Sequence, residues 1–370
     1  MENNHSSERY ARQLILKEFG AAAQAQLLKA KVLVVGAGGL GCPALQYLTA
    51  AGVGSIGIID DDVVQLTNLH RQVLYKMDHI GHLKAPVAAE VLGGLNPTVE
   101  LLVFTQRLTA SNAWSIVEGF DVVIDGTDNF ATRYMINDLC VLLGKTLVHG
   151  AVSGYQGQVA VFNKQHASGA GVNYRDLFPR PPAAGEVLNC AEAGVLGVLP
   201  GIIGTMQANE TIKLITGVGS ALINQVLTFN ALTNDIFKFE IKPSPVSAHF
   251  IPQSREAFEK IDYEWLCSVT PDSAYEIDPV FFNTLMAEGA VDVIDVRQLG
   301  ELPQIHEFNH LSIPITQLED SFPHLQNNTI VCVCQSGLRS RQATKILRER
   351  FGNTKKIYSL RGGILHWKKL

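Results

Sequence analysis

Cys334 ends an apolar run in the stretch VCVCQSGLRSRQA, and a short loop and a helix-like run follow it directly. Backbone N–H groups of such a loop can converge on a sulfur atom, and the dipole of the following helix, with Arg339, favours the thiolate. Four residues separate Cys334 from Arg339, which gives a ring scaled for sulfur, because a phosphate-binding thiol loop needs one residue more. We predict a reactive thiol in a loop made of Cys334, Gln335, Ser336, Gly337, Leu338 and Arg339.

A second chemical motif lies far earlier in the chain, between an apolar strand-like run and a helix-like run. The stretch GAGGLG places glycine at Gly36, Gly38, Gly39 and Gly41, which fits G-x-G-x-x-G. Glycine lets the backbone approach phosphate oxygens, and the start of the helix offers free N–H groups. Asp60, 19 residues past Gly41, is placed to bind a ribose diol. The motif predicts a nucleotide site, and taken alone it is most typical of a dinucleotide cofactor.

The composition is that of a globular protein. Of the 370 residues, 46% are hydrophobic and 18% are charged. The length of the chain is enough for about two domains. A net charge of −5 and scattered Lys and Arg argue against nucleic acid binding. The six cysteines form no CxxC pair, and MENNHSSERY lacks the features of a secretory signal, so we expect a reduced, cytoplasmic protein. The uncharged stretch 33–59 is interrupted by glycines, so we expect a strand–helix–strand unit and no membrane segment.

Apolar strand-like and helix-like runs alternate through the first two thirds of the chain. This alternation predicts a mostly parallel, doubly wound α/β sheet, with antiparallel strands added at its end. A Pro- and Ser-rich stretch then precedes a second, smaller α/β unit, with strands near 291–295 and 329–334 and helices near 279–288 and 338–351. We expect a first domain at 1–245, a linker at 246–275 and a second domain at 276–370.

Four further segments come in a fixed order around the glycine loop. They are RYARQ at 9–13, TNLHRQ at 67–72, GHLKA at 81–85 and DGTDNFATR at 125–133. With the glycine loop they resemble the adenylation domain of the ubiquitin-activating superfamily, in its branch of bacterial molybdopterin-synthase and thiamine-pathway sulfur-carrier adenylyltransferases. The resemblance covers residues 8–242 and implies a Rossmann-like fold that binds ATP and Mg²⁺.

The resemblance also implies roles for individual residues. Arg71 and Lys84 would be the phosphate cations, and Asp128 would hold Mg²⁺, a hard ion suited to carboxylate oxygens. Arg12 would reach into the neighbouring subunit, which implies a homodimer. Asn68, Gln72 and Asn129 complete the residues expected to contact the nucleotide. We interpret Asp61 and Asp62 as solvated charges.

The chain departs from this family at a structural zinc site. Relatives carry two CxxC pairs, and here the four positions hold Asn173, Asp176, Ser244 and Ser247. Asn and Ser are poor zinc ligands, so we predict no zinc and a corner held by packing and hydrogen bonds. Cys190 stands in a glycine-rich stretch that resembles the family's crossover loop, whose cysteine can link covalently to the carrier.

The carboxyl-terminal third carries a second resemblance. VIDVRQ at 293–298, the Cys334 loop and LRGGILHW at 360–367 resemble the motifs of a rhodanese sulfurtransferase domain, which forms a persulfide on its loop cysteine. The usual GHI turn is altered to FNHLSI around His310. Cys332, two residues before Cys334 on the strand, is expected to be buried.

Together the two resemblances imply one function. The chain would adenylate the carboxyl-terminal glycine of a small ubiquitin-like sulfur carrier ending in Gly-Gly, and deliver sulfur from a Cys334 persulfide to give a thiocarboxylate. The sulfur donor, a cysteine desulfurase or thiosulfate, stays open, as does the pathway; molybdopterin synthesis is favoured over thiamine synthesis and tRNA thiolation. An NAD-dependent oxidoreductase and a non-catalytic platform that binds the carrier are the alternatives of another class.

Overall fold

The computed structural model describes residues 8–164, 171–182, 194–245, 247–266, 275–289, 291–318, 325 and 327–368. The chain divides into two compact units, and the second begins after Tyr263. Each unit holds its own β-sheet and core, so each can be described by itself.

The first unit contains one eight-stranded sheet with the strand order β3-β2-β1-β4-β5-β6-β7-β8. Pairing is parallel from β3 to β5 and antiparallel from β5 to β8, as the sequence pattern predicts. The strands are β1 Lys31–Val35, β2 Ser55–Ile59, β3 Glu100–Phe104, β4 Val122–Asp125, β5 Thr146–Ser153, β6 Gln156–Phe162, β7 Gln225–Asn230 and β8 Ile236–Glu240.

Helices pack on both faces of the parallel half of this sheet, and α8 lies against β5 and β6. The described helices are α1 Ala11–Leu14, α2 Gly20–Leu27, α3 Gly41–Ala51, α4 Lys84–Leu95, α5 Ala110–Val117, α6 Phe130–Leu143, α7 Tyr174–Leu177, α8 Val198–Thr216 and α9 Arg255–Glu259, and α10 Tyr263–Leu266 begins at the last residue of this unit. The uncharged stretch 33–59 forms β1, α3 and β2, so its apolar residues are those of a buried βαβ unit. Among the described residues, no helix is both long and apolar enough to cross a bilayer.

The predicted linker, residues 246–275, is structured over residues 247–263. Ser247–Phe250 form a 3-10 helix, α9 follows, and the side chain of Phe258 is fully buried. The hydroxyl of Tyr263 donates to the carboxylate of Asp138 at 2.8 Å. Residues 247–263 therefore pack on the first unit.

The second unit contains a parallel five-stranded sheet with the order β11-β10-β12-β13-β9. Its elements are β9 Glu276–Ile277, α11 Pro279–Glu288, β10 Val291–Asp295, β11 Leu311–Ser312, β12 Thr329–Val333, α12 Leu338–Phe351, β13 Lys356–Leu360 and α13 Gly363–Trp367. Asp278 caps α11 by accepting from the N–H of Phe281 at 2.7 Å, which is why that helix starts where the sequence predicts. Two apolar clusters cover the two faces of the sheet, and Cys334 stands just past the end of β12.

Candidate active sites

A cavity of about 660 Å³ lies in the first unit, at the carboxyl ends of β1, β2 and β4. In a sheet of this order β1 lies between β2 and β4, so the cavity is at the point where the strand order reverses, the usual ligand site of doubly wound folds. The predicted nucleotide-site residues that line the cavity are Gly36, Gly38, Gly39, Asp60, Arg71, Gln72, Lys84, Asp128 and Asn129. Gly41, Asn68 and Arg12 are not among the described residues that line it.

The glycine loop lies very close to the backbone segment that follows β4. Gly36 has a φ of +90°, and a Cβ on it would lie 2.8 Å from the carbonyl oxygen of Gly126. A Cβ on Gly41 would lie 1.9 Å from the carbonyl oxygen of Gly36, although Gly41 is not a cavity residue. Gly41 is therefore required for the tight turn into α3, and the loop residues just before it, Gly38, Gly39 and Leu40, line the cavity.

Asp60 follows β2 and fixes the glycine loop. Its carboxylate accepts from the N–H of Ala37 at 2.7 Å and from the N–H of Asp62 at 2.9 Å. Burial raises the pKa of Asp60, and the charge of Lys84 partly offsets that rise. The same residue lines the cavity, where a carboxylate oxygen can accept a hydrogen bond from a hydroxyl group of a ligand.

Lys84 is the first residue of α4 and is buried, with its Nζ 2.9 Å from a carboxylate oxygen of Asp62. The interpretation of Asp62 as a purely solvated charge is wrong. Its side chain is exposed, but it pairs with Lys84, and Asp61 and Asp62 both line the cavity. A run of three aspartates gives no local signal of this pairing, because the partner lies 22 positions later.

Three polar residues of the TNLHRQ segment differ in the hydrogen bonds that their side chains make. The side chain of Asn68 accepts from the N–H of Gln65 at 3.0 Å and shapes the turn. Arg71 donates to the carbonyl of Thr67 at 3.0 Å and lines the cavity. Gln72 is buried, and its Oε1 has no hydrogen-bond partner among the described residues. That oxygen is a buried acceptor, on a residue that lines the cavity.

The segment after β4 carries Asp128 and Asn129 into the cavity. Asn129 caps α6, because its side chain accepts from the N–H of Thr132 at 2.9 Å. Asp128 is exposed, and it makes no hydrogen bond or ion pair within the described part of the chain. The free carboxylate of Asp128 in this cavity fits Mg²⁺, which is usually held by one or two carboxylates together with phosphate oxygens and water.

A buried network that the sequence did not reveal holds this segment. Asp125 accepts from His149 Nδ1 at 3.0 Å and from the hydroxyl of Thr127 at 2.7 Å. Arg133 lies 3.4 Å from Asp125, donates to the carbonyl of Thr127 at 3.0 Å, and also lines the cavity. Arg133 ends the DGTDNFATR segment, so its place in that motif is the signal that could have identified it.

Besides Gly41 and Asn68, two residues predicted to be catalytic are not placed in the cavity. Arg12 lies on α1 with its side chain exposed. Cys190 lies outside the described residues, so its role as a covalent intermediate stays a prediction.

The four residues in the place of the zinc ligands come together around one carboxylate. One oxygen of Asp176 accepts from the N–H of Ser244 at 2.7 Å and from the hydroxyl of Ser247 at 2.6 Å. Its other oxygen accepts from the N–H and the side-chain amide of Asn173, both at 2.8 Å. The hydrogen bonds predicted for this corner are present, and we call the four residues the Asp176 cluster.

In the second unit, Cys334 lies in the predicted loop before α12. Its side chain is 1% exposed, and Sγ receives the N–H groups of Gly337 at 3.1 Å and Ser340 at 3.3 Å. Gly337 has a φ of +93°, which turns the loop around the sulfur. The Ser340 side chain, which the sequence prediction omitted, lies 3.5 Å from Sγ.

Arg339 is oriented by a residue from another loop. Its guanidinium donates to both oxygens of Glu301, one at 2.7 Å, and Glu301 holds the pKa of Arg339 above its ordinary value. Cys332 is buried on β12, as predicted, and burial raises the pKa of its thiol to about 12. Of these two neighbouring cysteines, only Cys334 has backbone N–H groups directed at its sulfur.

Family models match both units. The ThiF family model matches residues 10–248, and the rhodanese-like domain model matches residues 278–370. Among curated relatives, the probable adenylyltransferase/sulfurtransferase MoeZ of Mycobacterium tuberculosis is 38% identical and covers 98% of this chain and 92% of its own. The sulfur carrier protein adenylyltransferase of Thermus thermophilus is 46% identical over 71% of this chain and 97% of its own.

A plant relative and a solved structure extend this similarity. The adenylyltransferase and sulfurtransferase MOCS3-2 of Zea mays is 38% identical and covers 97% of this chain and 78% of its own. The crystal structure of E. coli MccB with ATP superposes with a TM-score of 0.56 at 21% identity, over 64% of this chain and 73% of that one. The structural match supports the Rossmann-like fold of the first unit.

Proposed function

Because the chain belongs to the ThiF family and also carries a rhodanese-like domain, we propose that it is an adenylyltransferase and sulfurtransferase that activates a sulfur carrier. It adenylates the carboxyl-terminal glycine of a small ubiquitin-like protein with ATP, and then supplies sulfur to form a thiocarboxylate. The observation that carries the proposal is the cavity in which Asp60, Arg71, Lys84 and Asp128 meet the glycine loop.

In the adenylation step the carrier's carboxylate attacks the α-phosphorus of ATP, and the bond to pyrophosphate breaks. Backbone N–H groups of the glycine loop bind phosphate oxygens, and Arg71 and Lys84 neutralise charge that develops on them. Asp60 accepts hydrogen bonds from ribose hydroxyls. Mg²⁺ at Asp128 would neutralise charge on the leaving pyrophosphate.

We propose that the protein acts as a homodimer, in which Arg12 of one subunit completes the cavity of the other. Its exposed position on α1, away from the cavity of its own subunit, supports this proposal. In the sulfur step, the terminal sulfur of a Cys334 persulfide attacks the adenylated carbonyl carbon and AMP leaves, so an acyl disulfide joins the carrier to Cys334. A second thiol, that of Cys190 or of an external thiol reductant, then attacks the sulfur of Cys334; the S–S bond breaks, and the carrier leaves as a thiocarboxylate.

Carrier-dependent exchange of radiolabelled pyrophosphate into ATP tests the adenylation step, and the mass of the carrier's carboxyl terminus tests thiocarboxylate formation. Pyrophosphate exchange without thiocarboxylate formation would support the adenylyltransferase activity but not the sulfurtransferase activity. Carrier binding without exchange would favour the non-catalytic platform, and bound nicotinamide the oxidoreductase. The carrier that co-purifies identifies the pathway, for which molybdopterin synthesis is our first expectation.

A further inference from the structure

Arg71, a cation that lines the nucleotide cavity, is held along one edge of its guanidinium. Its Nη1 carries two hydrogens, and two acceptors lie within reach of that nitrogen: the carbonyl oxygen of Thr67 at 3.0 Å and Nε2 of His70 at 2.8 Å. Nε and Nη2 of Arg71 make no hydrogen bond to the part of the chain that the structure describes. Those two nitrogens form the edge of a guanidinium that can bind a phosphate through two parallel hydrogen bonds.

The contact with Arg71 fixes the protonation state of His70. A guanidinium group donates hydrogen bonds and accepts none, so Nε2 of His70 must be the acceptor. The imidazole is therefore neutral, with its proton on Nδ1. His70 also lines the cavity, and its side chain makes no other hydrogen bond to the described residues. The polar contact that this imidazole makes within the described protein is thus the one to Arg71.

Backbone packing limits the room that His70 and Arg71 have to move. Gly197 is the N-cap of α8, and a Cβ on it would lie 2.9 Å from Nδ1 of His70 and 2.5 Å from the His70 carbonyl oxygen. On the glycine loop, a Cβ on Gly39 would lie 3.6 Å from Cγ of Arg71. The imidazole thus lies against the start of α8, and the stem of Arg71 lies beside the glycine loop.

Arg71 and Lys84 present different charges to a ligand. Lys84 pairs with the carboxylate of Asp62 at 2.9 Å. Arg71 forms no ion pair with the described residues, and its two acceptors, an imidazole and a carbonyl group, are both neutral. A neutral acceptor orients a guanidinium without cancelling its charge. Arg71 therefore keeps both its charge and one free edge for phosphate oxygens.

We propose that His70 is a positioning residue for adenylation, which holds Arg71 so that its free edge binds the phosphates of ATP through two hydrogen bonds. This role requires two properties of the side chain at position 70: it must accept a hydrogen bond from Arg71, and it must carry no negative charge. The inference rests on the proposed function, in which Arg71 contacts phosphate.

Equilibrium dialysis of ATP with Mg²⁺ against the full chain tests the requirement for an acceptor. His70→Leu removes the acceptor and should raise Kd for ATP about tenfold, the order expected when one charge-assisted hydrogen bond is misplaced. His70→Gln keeps a neutral acceptor in its amide oxygen, so its Kd should stay within about twofold of that of the unaltered protein. His82→Leu is the matched control, at an exposed histidine that is not among the described cavity residues, and should leave Kd unchanged.

His70→Glu tests the requirement for neutrality. Its carboxylate can still accept from Arg71, but it cancels the charge of the guanidinium, as Asp62 does for Lys84. Kd for ATP should therefore rise at least as much as in His70→Leu. An affinity equal to that of the unaltered protein would show that the charge on Arg71 does not matter, and would overturn the inference.

A double variant separates positioning of Arg71 from a direct or structural role. In the Arg71→Ala background, His70→Leu should change Kd by less than about twofold, because the residue through which His70 acts is gone. An effect of His70→Leu that persists in that background would overturn the inference, as would an unchanged Kd in the single variant. Unaltered protein that binds no ATP would contradict the proposed adenylation itself, whereas ATP binding that is insensitive to His70 contradicts only the positioning role.

Discussion

Lys84 Nζ lies 2.9 Å from a carboxylate oxygen of Asp62, and the two side chains differ greatly in exposure, 6% against 72%. A buried cation beside the cavity is thus neutralised from the solvent side. Phosphate oxygens that enter the cavity compete with Asp62 for the same ammonium group, and both are anions. The pair therefore lowers the positive charge that Lys84 would present to a ligand in the cavity.

Asp62→Asn should tighten the binding of ATP in the absence of divalent metal by up to about fivefold. The gain is modest because exposed ion pairs are screened by solvent. Equilibrium dialysis in EDTA measures it, and Asp61→Asn is the control, since it removes the same charge from the cavity but makes no ion pair with Lys84. Equal gains in the two variants would show that only the overall negative charge matters.

Asp128→Ala should abolish carrier-dependent pyrophosphate exchange, because the cavity loses the carboxylate proposed to hold Mg²⁺. Arg12→Ala should abolish exchange as well, while the cavity of its own subunit stays intact. A mixture of the two inactive variants, exchanged in mild urea and returned to buffer, should recover about a quarter of the activity if half the dimers are hybrids with one complete site. A mixture that exchanges subunits and stays inactive would contradict the role of Arg12 across the subunit boundary.

Asp176→Ala should lower the free energy of unfolding of the first unit by about 2–4 kcal/mol, because four donors lose their acceptor at once. Asp176→Asn keeps the size of the side chain but replaces one acceptor oxygen with an amide, so a smaller loss is expected. Urea denaturation followed by far-UV circular dichroism measures both variants. Elemental analysis should find no stoichiometric zinc in the unaltered protein, and about one zinc per chain would contradict the Asp176 cluster as a replacement for the metal.

The stability of the first unit should fall as the pH drops below about 6.5, the ordinary pKa of histidine. Burial lowers the pKa of His149, despite its hydrogen bond to Asp125. Burial acts to raise the pKa of Asp125, but the hydrogen bond from His149 and the charge of Arg133 outweigh it and lower that pKa. Both groups bind protons more readily in the unfolded chain, so acid favours unfolding, first through His149 and then, below about 4, through Asp125.

The urea concentration at the midpoint of unfolding, measured between pH 5 and pH 8, tests whether acid lowers the stability of the first unit. His149→Gln should flatten the dependence between pH 5 and 7, whatever it does to the stability at pH 8. A midpoint that rises on acidification in the unaltered protein would mean that His149 is charged in the folded state.

Cys334→Ser should keep carrier-dependent pyrophosphate exchange near normal, because the carboxylate attacks phosphorus without help from a thiol. It should lose persulfide formation, and thiocarboxylate should fall sharply unless free sulfide is added. Cys332→Ser is the matched control, since that thiol is buried and its pKa is raised to about 12. Full sulfurtransferase activity in Cys334→Ser would make Cys332 the residue to examine.

The features that the sequence could predict are those that depend on residues close together in the chain. The glycine loop and the Cys334 loop each join a strand to a helix within a few residues, so spacing alone places Gly36 and Cys334 at strand ends. The pairs that sequence reasoning missed join distant segments: Arg339 to Glu301 across 38 positions, and Asp176 to Ser247 across 71. No periodicity links such residues, because their contact depends on how the strands are ordered in the sheet.

The bond between Tyr263 and Asp138 spans 125 positions, and it has a consequence for the order in which the chain is made. A nascent chain that has formed all eight strands of its first sheet still leaves the Asp138 carboxylate without that partner. The first unit can complete its packing only when Tyr263 has left the ribosome, and by then the first segment of the second unit has been made and fills the exit tunnel. During translation, the first unit can therefore finish folding only after the helix turn that begins at Tyr263 has left the ribosome.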